Sequence, residues 1–286
     1  MRYQLDSTKR AHQIMTVLLI LSSSYVGVAY AADMADRIRF EYVAPQNPAH
    51  QHVYEMLQQR RVLERFQKFL SFIRLPEPLL LKTMGCAGES NAWYEESEHS
   101  VTVCYEYLAD VARNAPAMTT PAGVTPQDAI TGPVIEVFLH EVGHALFDML
   151  KLPVLGREED AADQVAAYIL VSLGDDVART TIAGVAYMYF RDAQQAQLKQ
   201  TSFANVHSLD AQRFYNVLCI AYGSNAKLFA DVAEKKYLPE DRAEGCEDEY
   251  RQVRYAMQTL FGPHIDRGRA NKVRAGQWLN PRSRGQ

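Results

Sequence analysis

Residues 133–150 read PVIEVFLHEVGHALFDML, and this stretch decides the fold. Val134, Ile135, Phe138, Leu139, Val142, Ala145, Leu146, Met149 and Leu150 cover most of a helical circumference. That pattern predicts a central helix over Pro133–Leu150, buried on nearly every side. His140, Glu141 and His144 sit inside it, and burying two imidazoles and a carboxylate is costly unless each has a partner. His140 and His144 are four residues apart, so both rings leave one face and can reach one ion. Glu141 stands beside them to act on a water. His140-Glu141-Val142-Gly143-His144 therefore predicts a zinc-dependent hydrolytic site, which still needs a third ligand.

The next helix offers Glu158, Glu159, Asp160 and Asp163. At 100° per residue, Glu159 and Asp163 share a face with Ala166 and Leu170, which should point inward. Asp160 aligns with Gln164 and Ala167 and is expected to face solvent. Glu158 aligns with Ala162, Val165 and Ile169 and stays open. Glu159 is chosen as the third ligand because Asp163, one turn later, can then orient a ligand imidazole through its second N–H. A charged helix N-terminus favoured by the macrodipole accounts for at least one of these acids. Pro153 and Gly156 supply the reversal between the helices. Glu136 and Asp148, one turn either side of the histidines, are candidate partners or solvent-facing charges.

Outward from the site, Ile38–Val43 reads as a strand and Ala49–Ile73 as a helix, with Pro76 and Pro78 beyond its end. Leu79–Thr83, Ala92–Glu95 and Val101–Tyr105 read as short strands, the last two joined by a turn at Glu96–His99. Tyr107–Arg113 starts a helix, Ala115–Pro126 is a loop, and nearly everything from Gln127 onward looks helical. Strands first and helices after predict an α+β domain, a small N-terminal sheet followed by a mainly helical part, over residues 32–262. The Arg-rich residues 263–286 read as a basic, flexible tail.

Residues 1–31 carry Arg2, Lys9 and Arg10, an apolar run Ile14–Leu21 and a small-x-small site Ala29-Tyr30-Ala31. This is a signal peptide and predicts a secreted or periplasmic protein with no membrane span after cleavage. Cys86, Cys104, Cys219 and Cys246 then suggest two disulfides, with the sequence-neighbour pairs 86–104 and 219–246 favoured. A net charge of −4 argues against nucleic acid as a partner. No G-x-S-x-G elbow or phosphate-binding glycine loop offers another chemistry.

His140-Glu141-x-x-His144 followed by Glu159-x-x-x-Asp163 resembles the glutamate-zincin pattern. Phe147 and Leu150 stand where the metzincin signature has its Gly and third His. More closely, the chain resembles a bacterial family of unknown-function domains regarded as metallopeptidases. The shared stretches include Asn91-Ala92-x-Tyr94, Cys104-Tyr105-Glu106, Leu139–Leu146, Pro153–Ala167 and His207–Tyr215. The connection from His144 to Glu159 is shorter than in thermolysin-like enzymes.

The resemblance implies a zincin-like fold and hydrolysis of a peptide or protein substrate. Zn2+ would be held by His140, His144 and Glu159, with Glu141 as general base and Asp163 in support. Candidates for the oxyanion donor are His207 and Tyr215, followed by Tyr187 and Tyr189; Ser208 is expected to cap the helix after His207. By analogy, the Ala92–Glu95 or Val101–Tyr105 strand holds an extended substrate by edge pairing. Two other readings use the same residues: an inactive exported binding protein retaining its zinc site, and a structural site closed by a fourth protein ligand.

Overall fold

The structure, a computed structural model, describes residues 37–275; the predicted signal peptide lies outside the described residues. Four short strands form one sheet: β1 (Ile38–Tyr42), β2 (Leu79–Met84), β3 (Ala92–Glu95) and β4 (Ser100–Cys104). Their order is β1-β2-β4-β3, with β1–β2 and β2–β4 parallel and β3–β4 antiparallel. β2 buries Leu79, Leu81 and Thr83 on one face, whereas β4 is buried along its whole length. Both strands are interior, so the difference lies in their cover: β4 is covered on both faces and β2 fully on one. β3 is an edge strand, like β1, and is hairpin-linked to β4 with Tyr94 opposite Val101. The Cys86–Cys104 disulfide ties the loop after β2 to the end of β4.

The continuous helix expected over Ala49–Ile73 is two helices, α1 (Gln51–Gln59) and α2 (Val62–Leu70), preceded by a 3-10 turn at Pro48–His50. The break is at Arg61, whose φ of 53° is left-handed. Leu57 and Leu63 lie six residues apart, a spacing that one helix cannot aim at the same core. Breaking the helix buries both, together with Phe66. The Tyr42 hydroxyl fastens the junction, accepting the Leu63 N–H at 2.7 Å and donating to Glu64 at 2.7 Å.

After α3 (Tyr105–Arg113), the chain is helical almost throughout. α4 spans Pro126–Met149 and starts two turns before the expected Pro133. Thr125 and Asp128 form a reciprocal capping box around Pro126, the first helical residue and the last of the expected loop. α5 (Glu158–Val171), α6 (Asp175–Gln195), α7 (Asp210–Ser224), two short helices α8 (Ala230–Glu234) and α9 (Glu240–Ala243), and α10 (Cys246–Leu260) complete the bundle. A disulfide joins Cys219 in α7 to Cys246 at the start of α10. No helix among the described residues is long and apolar enough to cross a membrane.

Where the sequence reads as a solvated tail, residues 267–275 form a further helix, α11 (Arg267–Ala275). Ile265 bridges to Ile73, Asp266 caps the helix by accepting the Arg269 N–H, and Val273 is buried. These contacts, with the Asp266 N–H on the Phe72 carbonyl at 2.8 Å and the Arg269 guanidinium on that of Ser71 at 3.4 Å, dock a helix whose charge pattern alone does not announce it.

Candidate active site

Backbone contact between helices sets the site. A Cβ on Gly184 of α6 would lie 1.9 Å from the Asp128 carbonyl oxygen, so α6 crosses α4 with no room for a side chain. Farther along α4, a Cβ on Gly143 would lie 3.2 Å from Ala162 Cα and 3.3 Å from Ala162 Cβ. The Gly143–Ala162 approach brings the first turns of α5 against the histidines. Glu159 and Asp163 project inward beside the buried Ala166 and Leu170, as the helical wheel requires.

Three atoms converge there. His140 Nε2 and His144 Nε2 are 3.2 Å apart, and Glu159 Oε2 lies 3.1 Å from the first and 3.3 Å from the second. Four ligands at ~2.0–2.1 Å around a tetrahedral zinc have edges of ~3.3–3.4 Å, so the triangle fits such a cation. Each imidazole also has its other nitrogen held by a carboxylate, His140 Nδ1 by Asp163 at 2.8 Å and His144 Nδ1 by Glu158 at 2.8 Å. Donating both Nδ1–H groups leaves both Nε2 lone pairs facing the shared point. Burial works against a charge on His140, but its hydrogen bonds to Asp163 and Glu159 push it up to about 10. Hydrogen bonds from His140, His144 and His207 hold Glu159 far below the usual carboxylate range. A divalent cation can replace the protons that balance this carboxylate.

Behind the triangle lies a buried polar chain that joins Asp163, Glu136 and Tyr189 through Arg213, the one member to which the sequence reading gave no role. Arg213 of α7 donates to Asp163 through Nε at 2.7 Å and Nη2 at 2.5 Å. Its guanidinium lies 3.7 Å from Glu136 Oε1 and 4.4 Å from the centre of the Tyr189 ring. Tyr189 in turn donates its hydroxyl to Glu136 at 2.7 Å. Burial raises Glu136 above its ordinary value, against the pull of Arg213. A signal for Arg213 was present: it shares a helical face with the buried Val217, Ile220 and Ala221. An arginine on an inward stripe needs buried carboxylates to meet it.

The triangle opens into a cleft of about 830 Å³. Glu141 lines it and is 8% exposed; burial raises its pKa, and the two histidines oppose the rise. Ala92, Trp93 and Tyr94 of β3 form part of the wall, with the Tyr94 hydroxyl bonded to Asp148 at 2.8 Å. Asp148 also accepts from Lys151, so it is paired within the cleft and not a bare surface charge. Glu106 holds the loop leading into β3, accepting the backbone N–H groups of Cys86 and Gly88 at 2.9–3.0 Å.

His207 is at the site, with its Nε2 2.9 Å from Glu159 Oε2 and its ring stacked on His140 at 6.0 Å. Tyr215 is not: it is 39% exposed and lines a separate pocket with Asp160, Ser208 and Gln212. Two residues after Arg213 on α7, it points away from the stripe that faces the cleft. The Tyr187 hydroxyl turns to the Asn114 carbonyl at 3.5 Å, and Tyr189 is spent on Glu136. Asp160 does not face open solvent, because it accepts the Ser208 hydroxyl at 2.6 Å. Ser208 thus anchors the His207 segment to α5 instead of capping α7, where Gln212 receives the Leu209 N–H.

Residues 42–261 match the family described as "Putative metallopeptidase" (DUF4344), and the chain belongs to that family. A search of curated proteins and one of solved structures found no match. The family assignment agrees with a hydrolase that uses a metal and takes a peptide substrate. The two disulfides fit an oxidising compartment.

Proposed function

We propose that the protein is an exported zinc metallopeptidase of zincin-like design. His140, His144 and Glu159 hold the ion, and Glu141 is the general base. The observation that carries this reading is the triangle of two imidazole nitrogens and one carboxylate oxygen with edges of 3.1–3.3 Å, set beside a buried glutamate in an open cleft. When bound, zinc supplies Lewis-acid polarisation of the scissile carbonyl and acidifies a water.

The chain's own residues do the rest. Glu141 takes a proton from the attacking water and passes it to the departing amine nitrogen, with burial raising its affinity for that proton. His207 donates an N–H to the carbonyl oxygen as negative charge develops there. β3 offers a strand edge, unpaired among the described residues, along which an extended peptide can lie. The predicted signal segment 1–31, together with the disulfides, supports export to the periplasm or the exterior.

The test is paired. Chelation abolishes hydrolysis and zinc restores it, while Glu141→Gln keeps the zinc and loses turnover by roughly 10²–10⁴-fold. Turnover retained in Glu141→Gln defeats the general-base role. One observation favours a second reading: His207 Nε2 is close enough to Glu159 to make a fourth donor. A site closed by four protein ligands would be structural, in an exported binding protein without turnover. Zinc coordinated by His207 in the resting protein, with no hydrolysis of diverse peptides, would select it.

A further inference from the structure

We infer that Arg213 is a positioning residue for the proposed zinc site, aligning His140 through Asp163; this rests on the metal reading above. Among the described residues Asp163 is hydrogen-bonded both to Arg213 and to a ligand imidazole, and its two oxygens are shared unequally. Oδ1 receives His140 Nδ1–H at 2.8 Å and Arg213 Nη2–H at 2.5 Å, while Oδ2 receives Arg213 Nε–H at 2.7 Å. The two-pronged guanidinium grip fixes the plane of the carboxylate, and hence the direction from which it can hold the imidazole. Removing the grip leaves Asp163 free to rotate about its own side-chain bonds, and His140 Nε2 loses its aim.

The guanidinium is itself fixed on its other sides. Tyr189 lies under its face at 4.4 Å, and Glu136, bonded to Tyr189, stands 3.7 Å from Nη2. The five residues come from four helices: Glu136 and His140 from α4, Asp163 from α5, Tyr189 from α6 and Arg213 from α7. One ligand imidazole is therefore registered against the whole helical bundle. A lysine carries charge but no planar fork, so it cannot grip both oxygens of Asp163 while lying on Tyr189.

The experiment measures zinc affinity by chelator competition in the full exported chain, alongside the melting temperature of the metal-free protein. Variants are Arg213→Met, Arg213→Lys and, as a packing control on the same face of α7, Val217→Ala. Both Arg213 variants should bind zinc about 10–100-fold more weakly, the usual consequence of removing an outer partner of a ligand. The visible spectrum of their cobalt-loaded forms should shift, while Val217→Ala lowers the melting temperature and leaves affinity and spectrum unchanged. Native affinity in Arg213→Lys overturns the inference, and so does an equal loss of affinity in Val217→Ala. If Arg213→Met does not fold, Arg213→Lys decides alone. A wild-type chain that binds no zinc removes the metal reading itself, which is a different result from a wild type and variants that bind alike.

Discussion

Replacing Gly143 with alanine separates the stability of the fold from the quality of the site. The added Cβ would lie 3.2 Å from Ala162 Cα and 3.3 Å from Ala162 Cβ. Carbon atoms settle at ~3.5–4.0 Å, so α5 must retreat by about 0.3–0.5 Å. Neither Ala162 atom can rotate away, and the retreat is a movement of the helix. Glu159 is three residues earlier on α5, about 4.5 Å along its axis, and moves with it. Sites tolerate displacements of only ~0.5 Å before function suffers. Two free-energy terms oppose each other. Mild overpacking costs about 1 kcal/mol, whereas Gly→Ala in a helix interior stabilises by about as much. The metal-free protein should then unfold in urea within about 0.5 kcal/mol of wild type. Its zinc affinity should fall roughly tenfold, as when support around a ligand is lost. Gly143→Val should lose both. A Gly143→Ala protein stabilised by the full helix-propensity gain, with native zinc affinity, would refute the idea that the α4–α5 contact positions Glu159.

Other perturbations address different links. Cys219 and Cys246 close a loop of 27 residues between α7 and α10, and chain-entropy arguments set the effect of such a bridge near ~3.5 kcal/mol. The double change to alanine should lower urea stability by ~2–4 kcal/mol, and a loss below ~0.5 kcal/mol would contradict a tertiary role for the bridge. For Glu106, burial pulls the pKa upward, but the backbone N–H groups of Gly88 and Cys86 hold it below its ordinary value. A group depressed by folding stabilises above its unfolded pKa, near ~4.3, and that stability drains away as pH falls through the folded value. Glu106→Gln should therefore flatten the urea midpoint against pH below ~5; an unchanged acid slope would count against the loop clasp.

Much of the fold was readable because local pattern and tertiary position agree. β1 to β4 fall within a residue or two of their expected bounds, and the hairpin and both disulfides follow from the order of strands and cysteines. The helical wheel brought Glu159 and Asp163 inward because Ala166 and Leu170 continue their stripe. Elsewhere the deciding physics was not local. Arg61 takes a left-handed conformation with no glycine to announce it, since the reward is burial of both Leu57 and Leu63 in the core. Thr125-Pro126-Gln127-Asp128 carries a readable cap that sets the start of α4 at Pro126, one residue before the helical stretch expected from Gln127. Asp160, assigned to solvent by periodicity, meets Ser208 from a segment 48 residues away. Tyr215 was drawn to the site by its neighbourhood to His207, and Arg213, two residues earlier, is the one that faces it. Sequence proximity cannot say which side of α7 meets the cleft; the apolar stripe through Val217 could.

Metal content and coordination of the purified chain, by elemental analysis and X-ray absorption with His140→Ala and Glu159→Ala beside it, decide whether His140, His144 and Glu159 hold zinc. One zinc per chain is expected in the resting protein, with two imidazole nitrogens and a carboxylate oxygen in its shell. A non-protein oxygen should be the remaining ligand, and both variants should lose the metal. A chain that takes up no zinc, or one whose zinc is undisturbed by either substitution, would contradict this assignment.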